Sequence, residues 1–150
     1  MARVVTITAV YPRDPELVFA EAMNLSEMKQ AMHRIARYEG LPDGVIAQGD
    51  CYAVDVVMWG WLRTNNHVMQ IETLDWDALY VQSREHNPAV ARWDHRLSIT
   101  PHEAGALWTD EIVLDAGWRT ALTAYFCRYV YRHRHRSRDA LSIKCTIAAA

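Results

Sequence analysis

Apolar and polar positions alternate over residues 3–10, RVVTITAV, and this β-branched run predicts a strand. The period then changes. Asp14 is placed to cap a helix that Pro15 opens, with Leu17, Val18, Phe19 and Ala22 on its buried side. Ser26 is placed to cap a second short helix, SEMKQAMHRI, where Met28, Ala31, Met32 and Ile35 recur at helical spacing. The turn-rich YEGLPDG at 38–44 then leads into a meander. Strands are expected at 51–63, 67–74, 78–85, 92–99 and 106–115. Turns are expected at 64–66, 75–77, 86–91 and 100–105, and Gly60 as a bulge or bend within its strand. Turn signals at such short, regular intervals predict antiparallel pairing.

The last element differs. Asp115 is expected as an N-cap, and helical periodicity follows for about 25 residues, a length of roughly 38 Å. Leu122, Phe126, Tyr129 and His133 recur at i, i+4, i+7 and i+11, with Tyr125 and Val130 beside them, and this stripe is expected to face the sheet.

Alternation also assigns the inner face of each strand. Tyr52, Val54, Val56 and Met58 form one apolar face, because the opposite face carries Asp55 and Arg63 beside Trp59 and Trp61. Met69 and Ile71 continue it, followed by Leu79, Val81, Ser83 and Glu85, then Trp93, His95, Leu97 and Ile99, and finally Trp108, Asp110, Ile112 and Leu114. Matching these faces sets the register, since a slip of one residue would turn each set outward. Pairing Leu97 with Trp108 and Trp93 with Ile112 puts His95 opposite Asp110. The preceding hairpin puts Ser83 opposite His95 and Glu85 opposite Trp93, at Cβ separations of about 4.5–5.5 Å. Ser83, Glu85, His95 and Asp110 are thus expected to gather on an otherwise apolar wall. A buried carboxylate needs a partner. His95 and Asp110 can satisfy one another as a structural hydrogen bond, orient a ligand hydroxyl or carbonyl, or exchange a proton with it.

Composition narrows the field. A chain of 150 residues, 51% of them hydrophobic, suits one domain with a substantial core. No stretch approaches the ~18 uninterrupted apolar residues of a membrane span. The start MARVVTITAV lacks the apolar block of a signal peptide, so a soluble, cytoplasmic protein without integral membrane association is expected. A net charge of −2 gives no global attraction to nucleic acid. The run RHRHRSR at 132–138 reads as a solvated helix end whose cations complement the helix dipole. Cys51, Cys127 and Cys145 read as reduced thiols. The histidine spacing offers no metal set, and no cofactor motif occurs, so neither is expected. Met28, Met32, Met58 and Met69 read as ordinary core or as the lining of an adaptable cavity. Trp59, Trp61 and Trp76 read as a partner interface or a cavity rim.

The order strand, two short helices, antiparallel meander, long C-terminal helix resembles the START-like or SRPBCC superfamily, which includes pollen-allergen-like proteins, lipid-transfer domains and polyketide cyclases. The strings W-D-H at 93–95, W-T-D-E-I-V-L-D-A-G-W at 108–118 and Y-R-H-R-H-R at 131–136 resemble the C-terminal half of bacterial SRPBCC proteins. The resemblance implies an α+β helix-grip fold over residues 1–141, its curved antiparallel sheet and long C-terminal helix enclosing a cavity, with 142–150 as a tail. Binding of a small hydrophobic or amphipathic molecule is the leading expectation. Val54, Val56, Met58, Met69, Ile71, Val81, Ser83, Glu85, Trp93, His95, Leu97, Trp108, Asp110, Ile112, Leu122, Phe126 and Tyr129 are expected to line the site. An aromatase/cyclase- or dehydratase-like enzyme using His95 and Asp110 is the alternative, and a protein-interaction module with a filled core is the third. A homodimer stays open.

Overall fold

The computed structural model describes residues 1–150. Strand β1 (Arg3–Tyr11) is followed by helices α1 (Pro15–Ala22) and α2 (Leu25–Met32), then strands β2 (Ala36–Glu39), β3 (Cys51–Met58), β4 (Leu62–Asp75), β5 (Tyr80–Asn87), β6 (Val90–His102) and β7 (Gly105–Asp115). A 3₁₀ turn at Gly117–Arg119 leads into helix α3 (Thr120–Ser137), and strand β8 (Ser142–Ala149) ends the chain. The eight strands form one antiparallel sheet in the order β2-β3-β4-β5-β6-β7-β1-β8. Register irregularities at Val54/Val56, Ile71/Thr73 and Glu85/Asn87 bend the central strands. The sheet curves, and α1, α2 and α3 occupy its concave side, which is the helix-grip arrangement that the resemblance implies. No helix is long and apolar enough to cross a membrane.

Local chemistry sets the element ends. Asp14 accepts a hydrogen bond from the Glu16 amide at the start of α1, as expected. α2 is capped by Asn24 rather than Ser26, whose hydroxyl turns to Asp43, and it ends at Met32 so that Ala36–Glu39 can pair with β3. The turn expected at 64–66 lies earlier, at Trp59–Trp61, where Trp59 and Gly60 both take positive φ. The polar 64–66 segment is instead a bulge in β4, with Asp55 accepting from the Asn66 amide. Between β6 and β7 the turn is tighter than the expected 100–105 span, because His102 pairs with Gly105. His95 therefore sits opposite Ile112, and Leu97 opposite Asp110. The shift is by two residues, so every side chain keeps its face.

Two expectations about the C-terminal third are corrected. Residues 142–149 are not a tail beyond the sheet, because β8 pairs with β1 over Val10↔Ser142 to Arg3↔Ala149. Helix α3 also shows the sheet another face. Leu122 is 71% exposed and Tyr129 44%, while Ala124, Cys127, Tyr131, Arg134 and His135 are buried. Those residues repeat at the same helical spacing, one phase over. Ala124 and Cys127 are small enough to bring the helix down onto Val5, Ile7, Ile112 and Leu114. Farther along the sheet, Phe126 and Val130 reach Met32 and Met58 through side chains. The helix is also shorter than expected, 18 residues, or about 27 Å. It starts after Asp115 has turned to accept from the Gly117 amide, and the chain leaves it through Asp139 at φ 57°.

Gly105 is the backbone position with least freedom to change. It has φ 138°, and a Cβ there would run into the Tyr11 carbonyl oxygen and the Arg13 amide. Gly105→Ala is expected to cost about 2 kcal/mol or more, read as a lower urea midpoint with an unchanged m-value; an unaltered midpoint would contradict this account of the β1–β7 crossing.

Candidate functional site

The inner face of β2–β6, together with α2 and α3, borders a partly open cavity of about 210 Å³. Met28, Met32, Met58 and Met69 all line it, along with Trp93, Phe126 and Tyr131. Thioethers and aromatic rings make this wall apolar and adaptable in shape. A smaller lobe of about 80 Å³ lies deeper, walled by Ile71, Val81, Ser83 and Leu97. Glu85, His95 and Arg134 border both spaces.

The polar groups in this wall belong to two networks. The first centres on Asp110, which is 0% exposed. Its Oδ1 accepts from His95 Nε2 at 2.6 Å and its Oδ2 from His135 Nε2 at 3.0 Å. Burial alone would raise the carboxyl pKa, but the hydrogen bonds from His135 and His95 outweigh it and hold Asp110 far below the ordinary carboxylate range. Burial lowers the His135 pKa despite the neighbouring Asp110, so this imidazole is neutral. Its Nδ1 then accepts from the Tyr11 hydroxyl at 2.7 Å, and burial pushes the Tyr11 pKa up. A single direction of donation follows, Tyr11 to His135 to Asp110, with His95 donating from the other side. Tyr131 packs edge-on against His95, ring centres 5.3 Å apart, and fixes the plane of the imidazole. His95 uses only Nε2 within the protein, so its Nδ1 has no partner there, and the residue borders the cavity.

The second network centres on Glu85. It accepts from His67 Nε2 at 2.9 Å and from the Ser83 hydroxyl at 2.6 Å. His67 Nδ1 in turn accepts from the Asn87 amide at 3.2 Å. Burial would raise the Glu85 pKa; the hydrogen bond from His67, with that from Ser83, brings it below the ordinary value. No three His, Cys, Asp or Glu side chains converge in the geometry of a metal site.

The structure distributes the expected site residues unevenly. Val56, Met58, Met69, Glu85, Trp93, His95 and Phe126 border the main cavity. Ile71, Val81, Ser83 and Leu97 border the deeper lobe. Val54, Trp108, Asp110 and Ile112 are buried but packed behind the wall, Val54 beneath α2 and Trp108 against Tyr11 and Phe19. Leu122 and Tyr129 lie on the outer face of α3; Tyr129 instead packs on Trp59, ring centres 6.0 Å apart. His67, Tyr38, Tyr131, Arg134 and His135 were not anticipated. The run at 132–138 is not wholly a solvated helix end, because Arg134 and His135 point inward. The signal for Tyr131 and Arg134 is present in the stripe Ala124, Cys127, Tyr131, Arg134, Arg138, which follows helical spacing as faithfully as the greasier one.

No protein-family model matches the chain, and no curated protein does. Solved structures do. Protein CV1439 from Chromobacterium violaceum superposes with a TM-score of 0.72 at 9% identity, covering 90% of this chain and 94% of that one. Ara h 8.0201 gives 0.65 at 8% identity, over 91% and 97%. TTHA0849 from Thermus thermophilus gives 0.64 at 14% identity, over 89% and 90%. Identities this low speak to fold alone, and the fold is the helix grip.

The titration of the buried groups predicts acid sensitivity. The folded pKa of His135 lies below its unfolded value, so the stability this site contributes is fully present above about pH 6.5 and is lost as the pH falls. Asp110 and Glu85, also depressed, add a second loss below about pH 4. The urea midpoint is expected to drop from about pH 7.5 to about 5.5 and again by about pH 4, with His135→Gln reducing the first drop and the lowered pKa of His133 accounting for what is left of it. A midpoint that stays level across the first interval in the unmodified protein would contradict the assignment of His135 as buried and neutral.

Proposed function

We propose that the protein binds a small amphipathic molecule in the cavity between the sheet and α3. The observation that carries this reading is the composition of the wall: methionine and aromatic side chains around about 210 Å³, interrupted by a few polar groups held in place by hydrogen bonds. That is the usual make-up of a small-molecule site. An engineered apolar cavity of ~150 Å³ takes up benzene, so this space suits a skeleton of roughly ten non-hydrogen atoms. If about 200 Å² of ligand carbon leaves water, apolar burial contributes on the order of 5 kcal/mol. That is comparable to the cost of association. Useful affinity therefore needs a polar contribution as well. A cavity of this size also speaks against the reading as an interaction module with a filled core.

A titration of the full-length protein with a neutral aromatic alcohol such as 3-phenyl-1-propanol, followed by calorimetry, is expected to saturate. Val56→Trp, which places an indole in the cavity, is expected to weaken binding by about tenfold or more while leaving the thermal midpoint within a few degrees. Equal binding by Val56→Trp would place the ligand elsewhere.

One observation favours a second reading, as an enzyme of the cyclase or dehydratase kind. His95 has one nitrogen held by an ionised carboxylate and the other without a partner in the protein, on a ring that borders the cavity, which suits an oriented general base. On that reading His95→Ala keeps ligand affinity and loses turnover of a bound substrate by about 10²–10⁴-fold; unchanged turnover removes His95 from the chemistry.

A further inference from the structure

We infer that the ligand is an anion, a small aryl or alkyl carboxylate whose charged end pairs with the guanidinium of Arg134. The inference rests on the reading of the cavity as a ligand site and specifies the chemistry of what enters it. Arg134 projects from the buried face of α3, is 7% exposed, and borders both the main cavity and its deeper lobe. Its Nε is sealed from solvent and has no hydrogen-bond partner. No carboxylate lies within ion-pair distance of the guanidinium, because those of the wall are committed elsewhere. Both oxygens of Asp110 are taken by His95 and His135, and both oxygens of Glu85 by His67 and Ser83. Among the charged groups facing the cavity, Arg134 alone is left without a counterpart.

What Arg134 does touch is the ring of Trp108, at 5.0 Å, and Arg138 sits against the same ring at 5.2 Å. A cation over an indole gains little, whereas burying an uncompensated ion costs considerably more. Two like charges sharing one ring do not close that gap. An anion in the cavity does. A guanidinium presents its donors as a planar fork, which matches the two oxygens of a carboxylate. One unpaired cation matches one negative charge, and the nearby Asp110 and Glu85 disfavour a dianion such as a phosphate monoester. The skeleton behind the charged end would lie along Met58, Trp93 and Phe126.

The test compares 3-phenylpropionate with 3-phenyl-1-propanol, which share a carbon frame and differ in charge, by calorimetry on the full-length protein and on Arg134→Met. The unmodified protein is expected to bind the carboxylate about 10- to 100-fold more tightly. Arg134→Met is expected to lose that preference while holding the alcohol within about twofold. Its thermal midpoint should stay level or rise, since an uncompensated buried charge has been removed. Equal binding of acid and alcohol by the unmodified protein overturns the anion assignment and leaves the cavity reading standing, and this comparison needs no variant. A preference that survives in Arg134→Met, or a marked fall in its thermal midpoint, overturns the role of Arg134, the latter by showing a structural cation. Binding of neither compound overturns both readings.

Discussion

A carboxylate in the middle of the sheet organises this molecule. Asp110 lies on the inner face of β7 with no exposed surface, and its neighbours on that face are Trp108 and Ile112, which offer it nothing. Leaving it ionised there requires donors from outside its own strand. They come from β6 through His95 and from α3 through His135, and His135 is held in turn by Tyr11 of β1. One buried charge thus ties three neighbouring strands and the C-terminal helix together. Removing a single partner from such an arrangement costs about 3–5 kcal/mol, although an apolar cluster of equal volume could be as stable. What the polar chain supplies beyond stability is position, because a hydrogen bond fixes distance and direction where apolar packing tolerates sliding.

That positional constraint explains how a cavity persists above a curved sheet. α3 packs its backbone directly on β1, β7 and β8, where Ala124 and Cys127 allow close approach. Toward β3 and β4 the sheet bends away, helped by the bulges at Val54/Val56 and Ile71/Thr73. There the gap is spanned only by long side chains, Phe126 and Val130 from the helix, with Met32 from α2 and Met58 from β3. Collapse of the helix onto that half of the sheet would pull His135 away from Asp110. The space is a consequence of where the helix is pinned.

The strand faces were legible because a two-residue period is robust. Val81, Ser83, His95, Leu97, Asp110 and Ile112 all fall on the inner face assigned from alternation, even though the β6–β7 register differs by two residues. A hairpin's register depends on its turn, and TPHEAG does not announce that Glu103 and Ala104 alone make the reversal. β8 was missed for another reason: SIKCTI alternates, but its partner is the first strand, and nothing local in the sequence signals a pairing between chain ends. The helix phase failed on hydropathy. By that measure Leu122, Tyr125 and Tyr129 belong inside, and Arg134 and His135 outside.

The inversion of α3 bears on function. A helix turns its greasier stripe to solvent only if the other stripe gains more inside, and here the gain comes through His135 on Asp110, Tyr131 on His95, and Ala124 and Cys127 on the sheet. The residues displaced outward are not idle surface either. Tyr129 and Phe126 pack on Trp59, which stands next to Trp61, and Phe126 also borders the cavity. The same rotation that carries Arg134 to the cavity therefore sets an aromatic cluster beside it. An amphipathic ligand would meet aromatic carbon near the exposed side and a lone cation near the buried one, an order opposite to that of a simple greasy core with a polar rim.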